Sequence, residues 1–173
     1  MTAVGVVLND WDLAVCDVTA KQRTEHWNDA ANYRTGNRTT NYDENLYGCK
    51  GELAVAKAFS LYWQGMDSLL EADRAGDVGE YQVKSTLHND GHLIFQESHK
   101  MGQKTVLAIV GTNKVRLAGW AFFDHAKRLI ATGIGRKEKR RPTENHWCYW
   151  IPQHALEGME WLPVQYGPEV VQL

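Results

Sequence analysis

Between Asp77 and Thr86 the chain reads Asp-Val-Gly-Glu-Tyr-Gln-Val-Lys-Ser-Thr, a carboxylate after a glycine, a short turn and then a β-type alternation. Side chains two apart on a strand share a face, so Gln82 and Lys84 are expected to point together, away from Tyr81 and Val83. A carboxylate brought beside an amide oxygen and an ammonium is a set that metal-assisted hydrolysis could use. Glu80 has the same parity as Lys84 but lies one pair further along, about 7 Å away at strand rise. Asp73 is the alternative to Asp77. His88 continues the parity of Gln82, Lys84 and Thr86, which makes it a neighbour of the site. His88 and His92 have the i,i+4 spacing of a helical zinc pair, but Asn89-Asp90-Gly91 makes that segment a turn.

Two helices precede this stretch. Asn9 or Asp10 is expected to cap the first near Trp11, with Trp11, Ala14, Val15, Val18 and Gln22 at helical spacing. The pattern weakens through Glu25–Tyr33 and runs into a polar loop, Arg34 to Asn41. The second begins at Asn41 or Asp43. Leu46, Cys49, Leu53, Ala56, Phe59 and Trp63 recur along it at three- and four-residue steps, and Gly65 is expected to close it. Gly48, Gly51, Ala54, Ala56 and Ala58 keep this helix thin enough to approach a sheet closely. Glu52 sits at the edge of its apolar stripe, where a buried carboxylate is costly without a partner.

After the helices, Asp67–Ala72 reads as a short strand and Asp73–Gly76 as a turn. A hairpin turn at His88–Gly91 is expected to send His92–Gln96 back as a strand. Thr105–Val110 is a continuous apolar run, hence a buried central strand, with Val115–Phe123 its antiparallel neighbour. Asp124–Ile130 reads as a short helix or turn, Gly133–Pro142 as a basic loop and Trp147–Ile151 as an aromatic strand. Pro152 starts a turn or short helix. No internal repeat, low-complexity segment or linker interrupts residues 1–173. One α/β domain, a mixed sheet flanked by the N-terminal helices, is therefore expected.

Bulk composition excludes some partners. The chain has 173 residues, 43% hydrophobic and 23% charged, with no apolar run near the roughly 20 residues that span a bilayer. No membrane association is expected. Thr2–Leu8 is mildly apolar but lacks a basic flank and is followed by Asp10 and Asp12, unlike a signal peptide. Three widely spaced cysteines favour a reducing, cytoplasmic compartment and argue against a zinc knuckle. A net charge of −2 leaves polyanion binding to a local patch. The one dense patch is Arg136, Lys137, Lys139, Arg140 and Arg141, suited to DNA phosphates, with Trp147, Tyr149 and Trp150 nearby to stack on bases. Strand alternation makes at least one of those aromatics core.

Gly51-Glu52 in an alanine-rich helix, then Asp77-Val-Gly-Glu-Tyr-Gln-Val-Lys84 and a hydrophobic hairpin, resembles the PD-(D/E)xK nuclease superfamily, most of all its small phage-type members. In these a helix glutamate precedes an Asp, a four-residue spacer and an acidic-x-Lys pair. The likeness covers roughly Tyr47 to Val110, with a weaker echo in Trp150–Leu156. It implies a restriction-endonuclease-like mixed β-sheet core flanked by helices and a Mg²⁺-dependent endonuclease acting on DNA, in the host cytoplasm if phage-encoded. The catalytic set would be Glu52, Asp77, Gln82 and Lys84. Asp77 would be the principal metal ligand, joined by the Gln82 side-chain oxygen, the Val83 carbonyl and Glu52, the last through water or at a second ion. Lys84 would orient or activate the attacking water. Gln82 departs from the family, which usually has Asp or Glu there. The departure implies weaker Mg²⁺ binding, a preference for Mn²⁺, or a catalytically inactive module that binds nucleic acid. A dimeric Holliday-junction resolvase is a further alternative within the superfamily.

Overall fold

The apolar run before Gly111 becomes the strand on which both halves of the protein are built. The computed structural model describes residues 2–33, 42–65, 76–139, 146–162 and 170–172. In chain order they form β1 (Val4–Val7), α1 (Asp10–Tyr33), α2 (Tyr42–Phe59), β2 (Tyr81–Thr86), β3 (Leu93–Gln96), β4 (Lys104–Val110), β5 (Lys114–Phe122) and α3 (Phe123–Ala131). Then come β6 (Arg136–Lys139), β7 (Trp147–Ile151), two single-turn 3₁₀ helices and β8 (Val170–Gln172). The fold is mixed α/β, as expected, but with two sheets where one was anticipated. The first has the order β2-β4-β5-β1-β8 and the second β3-β7-β6. Among the described strands only β2 and β4 run parallel; the other pairs are antiparallel.

β4 is apolar on both sides because both sides are covered. Val106, Ala108 and Val110 face α2, packing with Ala54, Val55, Ala58 and Phe59. Leu107 and Ile109 face the second sheet and α3, against Leu93, Phe95, Tyr149, Ile151 and Phe123. Gly51 sets how close α2 can come. A Cβ there would stand 2.0 Å from Ser85 Oγ and 3.2 Å from Ala108 Cβ, so helix and sheet meet where no side chain fits. Phe59 stacks on Tyr81 of β2 at 4.6 Å, fixing the same interface at its other end.

Asn9 caps α1, as expected, while several other expectations are corrected. α1 is reciprocally capped: Asp12 N–H donates to Asn9 Oδ1 and Asn9 N–H to Asp12 Oδ2, each at 2.9 Å. It continues through Glu25–Tyr33, and the face it buries is Leu13, Cys16, Ala20 and Arg23. Trp11 and Val18, expected in the core, are 77% and 54% exposed. Cys16 and Ala20 pack on Cys49 of α2, and that contact chooses the face. α2 ends at Phe59, before Gly65. Ser60 takes φ +52°, with Leu61 N–H on the Ala56 carbonyl and Ser60 N–H on that of Lys57, a Schellman stop. The turn at His88–Gly91 forms, with Gly91 N–H donating to His88 O at 2.9 Å, but the strand after it does not return to β2. It becomes β3 and pairs with β7 in the second sheet. The basic loop is in part a strand, since Arg136–Lys139 is β6, paired with β7. The segment Arg34–Asn41, the strand expected at Asp67–Ala72, Asp73, and the cations Arg140 and Arg141 lie outside the described residues.

Candidate active site

Among the described residues β2 is an edge strand, so alternate backbone groups along it meet no described neighbouring strand. A two-residue turn supplies a partner. Val78 and Tyr81 exchange N–H···O bonds of 3.0 and 2.9 Å around Gly79 and Glu80, and Gly79 adopts φ +56°. This folds Asp77 back along the open edge of β2. Its Oδ2 accepts the Val83 N–H at 2.8 Å and also the side-chain amide N–H of Gln82. A residue's N–H and C=O leave a strand on the same side, so the Val83 carbonyl faces this edge too. Gln82 is held from its other end by Gln103, whose amide donates to Gln82 Oε1 at 3.3 Å. Glu80 is committed elsewhere, to Lys104 at 2.8 Å.

Gln82 and Lys84 share a face of β2, as the alternation predicted, while Tyr81 and Val83 are buried against α2. Glu52 comes from the α2 side. It is 7% exposed, and Arg23 of α1 grips it with two bonds, Nη1 to Oε1 at 2.7 Å and Nη2 to Oε2 at 2.6 Å. Trp63 Nε1 also donates to Oε2, at 3.0 Å, and Arg23 Nη2 donates in addition to the Gly65 carbonyl at 2.9 Å. Glu52 therefore has its charge compensated on the helix side, and it acts on Asp77 across space.

The electrostatics follow this arrangement. Burial pushes the Asp77 carboxyl above its ordinary pKa and the Glu52 charge adds to the rise; the Val83 N–H, Lys84 and Gln82 oppose it only in part. Burial alone would lower the Arg23 pKa, but the hydrogen bonds and charge of Glu52 reverse this, and the guanidinium is raised. The charge of Lys84 also acts on His99. His99 Nδ1 accepts the Gln96 N–H at 3.1 Å, and its ring meets Phe95 and Phe123 edge-on. Burial, followed by the charge of Lys84, lowers the His99 pKa to about 4, so this imidazole is neutral.

The structure thus brings Asp77, Gln82, Val83 and Lys84 together at one edge, with Glu52 behind them. Arg23, His99 and Gln103 were not anticipated. Arg23 was within reach of the sequence, because it continues the three- and four-residue steps from Cys16 and Ala20. Gln103 carries no such signal. Among the described residues, no group of three or more His, Cys, Asp or Glu is placed to hold a metal ion. Cation binding at Asp77 would have to draw on amide and carbonyl oxygens.

The basic strand is a separate surface. β6 is exposed along its whole length. Lys137 pairs with Glu97 at 2.9 Å and lies over the rings of Trp147 and Tyr149, Lys139 lies over Trp147, and Arg136 over Trp150. Tyr149 is core, as alternation requires for at least one of the three aromatics, and Trp147 is 39% exposed. No described helix is long and apolar enough to cross a membrane. Comparison with family models, curated proteins and solved structures found no match to this chain.

Proposed function

We propose that the chain is a divalent-metal-dependent nuclease that hydrolyses DNA phosphodiester bonds, an endonuclease with a restriction-endonuclease-like core. The observation that carries this reading is the Asp77 carboxylate. It is half-buried at the edge of β2, destabilised as an anion, hydrogen-bonded to an amide, next to an outward carbonyl and within the field of a lysine. A bound divalent cation would favour the ionised form that burial and Glu52 disfavour. The donors suit Mg²⁺, which commonly takes one or two carboxylates and keeps several waters. Asp77 and the Val83 carbonyl would hold it, and Gln82 would contribute its oxygen once its amide turned over, exchanging near-isosteric ends. When bound, the metal would supply Lewis-acid polarisation of the phosphate and a more acidic water.

The remaining chemistry belongs to the chain. Lys84 projects from the same face as Gln82, where its ammonium would offset charge gathering on the phosphate. Glu52 would tune Asp77 through its field, with Arg23 fixing its position. The test is incubation of plasmid and branched DNA with Mg²⁺ or Mn²⁺, using wild type and Lys84→Ala. Cleavage by wild type alone supports the reading; equal cleavage by both proteins overturns it.

A second reading, a nucleic-acid-binding module without catalysis, is favoured by one feature: both Glu52 oxygens are taken by Arg23 and Trp63, and the Gln82 amide donates to Asp77. It predicts salt-sensitive DNA binding with no metal-dependent cleavage.

A further inference from the structure

The second sheet has one face on the core and one face turned toward the site. Cross-strand register sets Ile94 opposite Trp150 and Trp150 opposite Arg136, so these three form a row on the face away from Phe95 and Tyr149. Between that row and the β2 face carrying Lys84 and Thr86 lies a cleft of about 710 Å³. Leu107, Ile94 and Trp150 give it apolar surface, and Gln96, His88 and His92 supply polar edges.

Resting on the nuclease reading of Asp77 and Lys84, we propose that this cleft seats an unpaired nucleobase of the strand being cut. The preferred substrate is then single-stranded DNA or an unpaired branch, not continuous duplex. Two observations and one general property of duplex DNA carry the inference. Lys84 belongs both to the β2 edge where the scissile phosphate would sit and to the cleft lining, so a base entering the cleft stays attached to that phosphate. The lining combines an indole and aliphatic surface with hydrogen-bonding groups, the combination that recognises splayed-out bases. A base in a duplex has its pairing edge occupied and its faces stacked, and cannot use such a lining without being extruded.

Arg136 extends the track. Its guanidinium lies 5.2 Å from the Trp150 ring centroid, and its one ion pair among the described residues is Glu138 at 3.2 Å, with both side chains more than half exposed. Such a pair is weak in water, so a backbone phosphate can replace the glutamate. Lys137 and Lys139 have the opposite parity, on the face with Tyr149 and Trp147, and so do not line this track.

The test is fluorescence anisotropy with a short labelled single strand and the matching duplex, in EDTA at low salt. The single strand is expected to bind about tenfold more tightly, the size of one stacked base. Trp150→Leu should weaken single-strand binding about tenfold and leave duplex binding unchanged. A fluorescent purine analogue in the strand should be quenched by the wild-type protein, a readout that needs no variant to fold. Equal affinities for the two DNAs, or an unquenched analogue, would overturn the base seat. Duplex cleavage as fast as single-strand cleavage, abolished by Lys84→Ala, would overturn the seat and leave the nuclease standing. Single-strand preference in EDTA with no cleavage in Mg²⁺ or Mn²⁺ would support the seat and remove the nuclease.

Discussion

Arg23 and Glu52, 29 residues apart in sequence, form a two-pronged ion pair across the α1–α2 interface at 2.7 and 2.6 Å. The pair explains how a carboxylate can be buried on a helix packed against a sheet. The guanidinium fork satisfies both oxygens, Trp63 adds a third donor, and the Gly65 carbonyl takes a further guanidinium N–H. It also joins the first helix to the site, because Glu52 is the charge that lifts the Asp77 carboxyl after burial has done so.

Removing one half of this pair is expected to cost far more than removing both. Arg23→Ala leaves Glu52 buried without its cation, a loss of about 3–5 kcal/mol. Replacing both residues by apolar ones of similar volume, Arg23→Met with Glu52→Leu, should recover most of that stability. Urea titrations of the three proteins would decide the matter. A single variant within about 1 kcal/mol of wild type would show that the pair does not carry the interface.

Gly51 gives a second packing test. An added methyl would meet Ser85 Oγ at 2.0 Å and Ala108 Cβ at 3.2 Å. Ser85 can rotate but Ala108 cannot, so α2 must shift outward and take Glu52 with it. Gly51→Ala should gain about 1 kcal/mol of helix propensity and lose about 1–3 kcal/mol to overpacking. The expected net result is a lower melting temperature, eased by adding Ser85→Ala. A Gly51→Ala protein more stable than wild type would show that the helix–sheet gap is wider than the geometry indicates.

Much of this interface was legible in the sequence because its signals are local. The thin helix, the apolar β4 run and the Gln82–Lys84 alternation each sit within a few residues. What escaped was non-local. Trp11 and Val18 outscore Arg23 in hydrophobicity, yet Arg23 is inside because its partner lies on another helix. The turn at Asp90-Gly91 has hairpin chemistry, but β4 already occupies the inner edge of β2, and β3 finds β7 more than fifty residues later in the chain. Thr2–Leu8 read only as a weak apolar segment, whereas Val4–Val7 fills the position between β5 and β8.

Gln82 is the position where the two functional readings part. Gln82→Glu puts a second carboxylate against Asp77 and removes the amide donor, so the metal-free protein should lose about 1–2 kcal/mol. On the nuclease reading, the added charge should lower the Mg²⁺ concentration for half-maximal cleavage by roughly tenfold, about 1.4 kcal/mol of binding. A binding module would gain no cleavage. Thermal shift with and without Mg²⁺, alongside plasmid cleavage, separates the outcomes.

His99 predicts how the protein responds to acid. Its folded pKa is lowered to about 4, first by burial and then by Lys84, from an ordinary 6.5. Above pH 6.5 both folded and unfolded chains carry it neutral, and its contribution to stability is complete. As the pH falls from about 6.5 to about 4, the unfolded chain takes up a proton that the folded one refuses, so stability drains away across that window. A gap of this size corresponds to about 3 kcal/mol, which partial exposure of the ring reduces to about 2 kcal/mol. His99→Gln keeps an acceptor for the Gln96 N–H and removes the titration, so its stability should fall less steeply on acidification, measured by urea unfolding at neutral pH and in acid. Lys84→Ala should raise the His99 pKa toward its ordinary value, which an NMR titration of the imidazole would follow. An unchanged His99 pKa in that variant would separate His99 from Lys84 and from the site edge that Lys84 shares with Asp77.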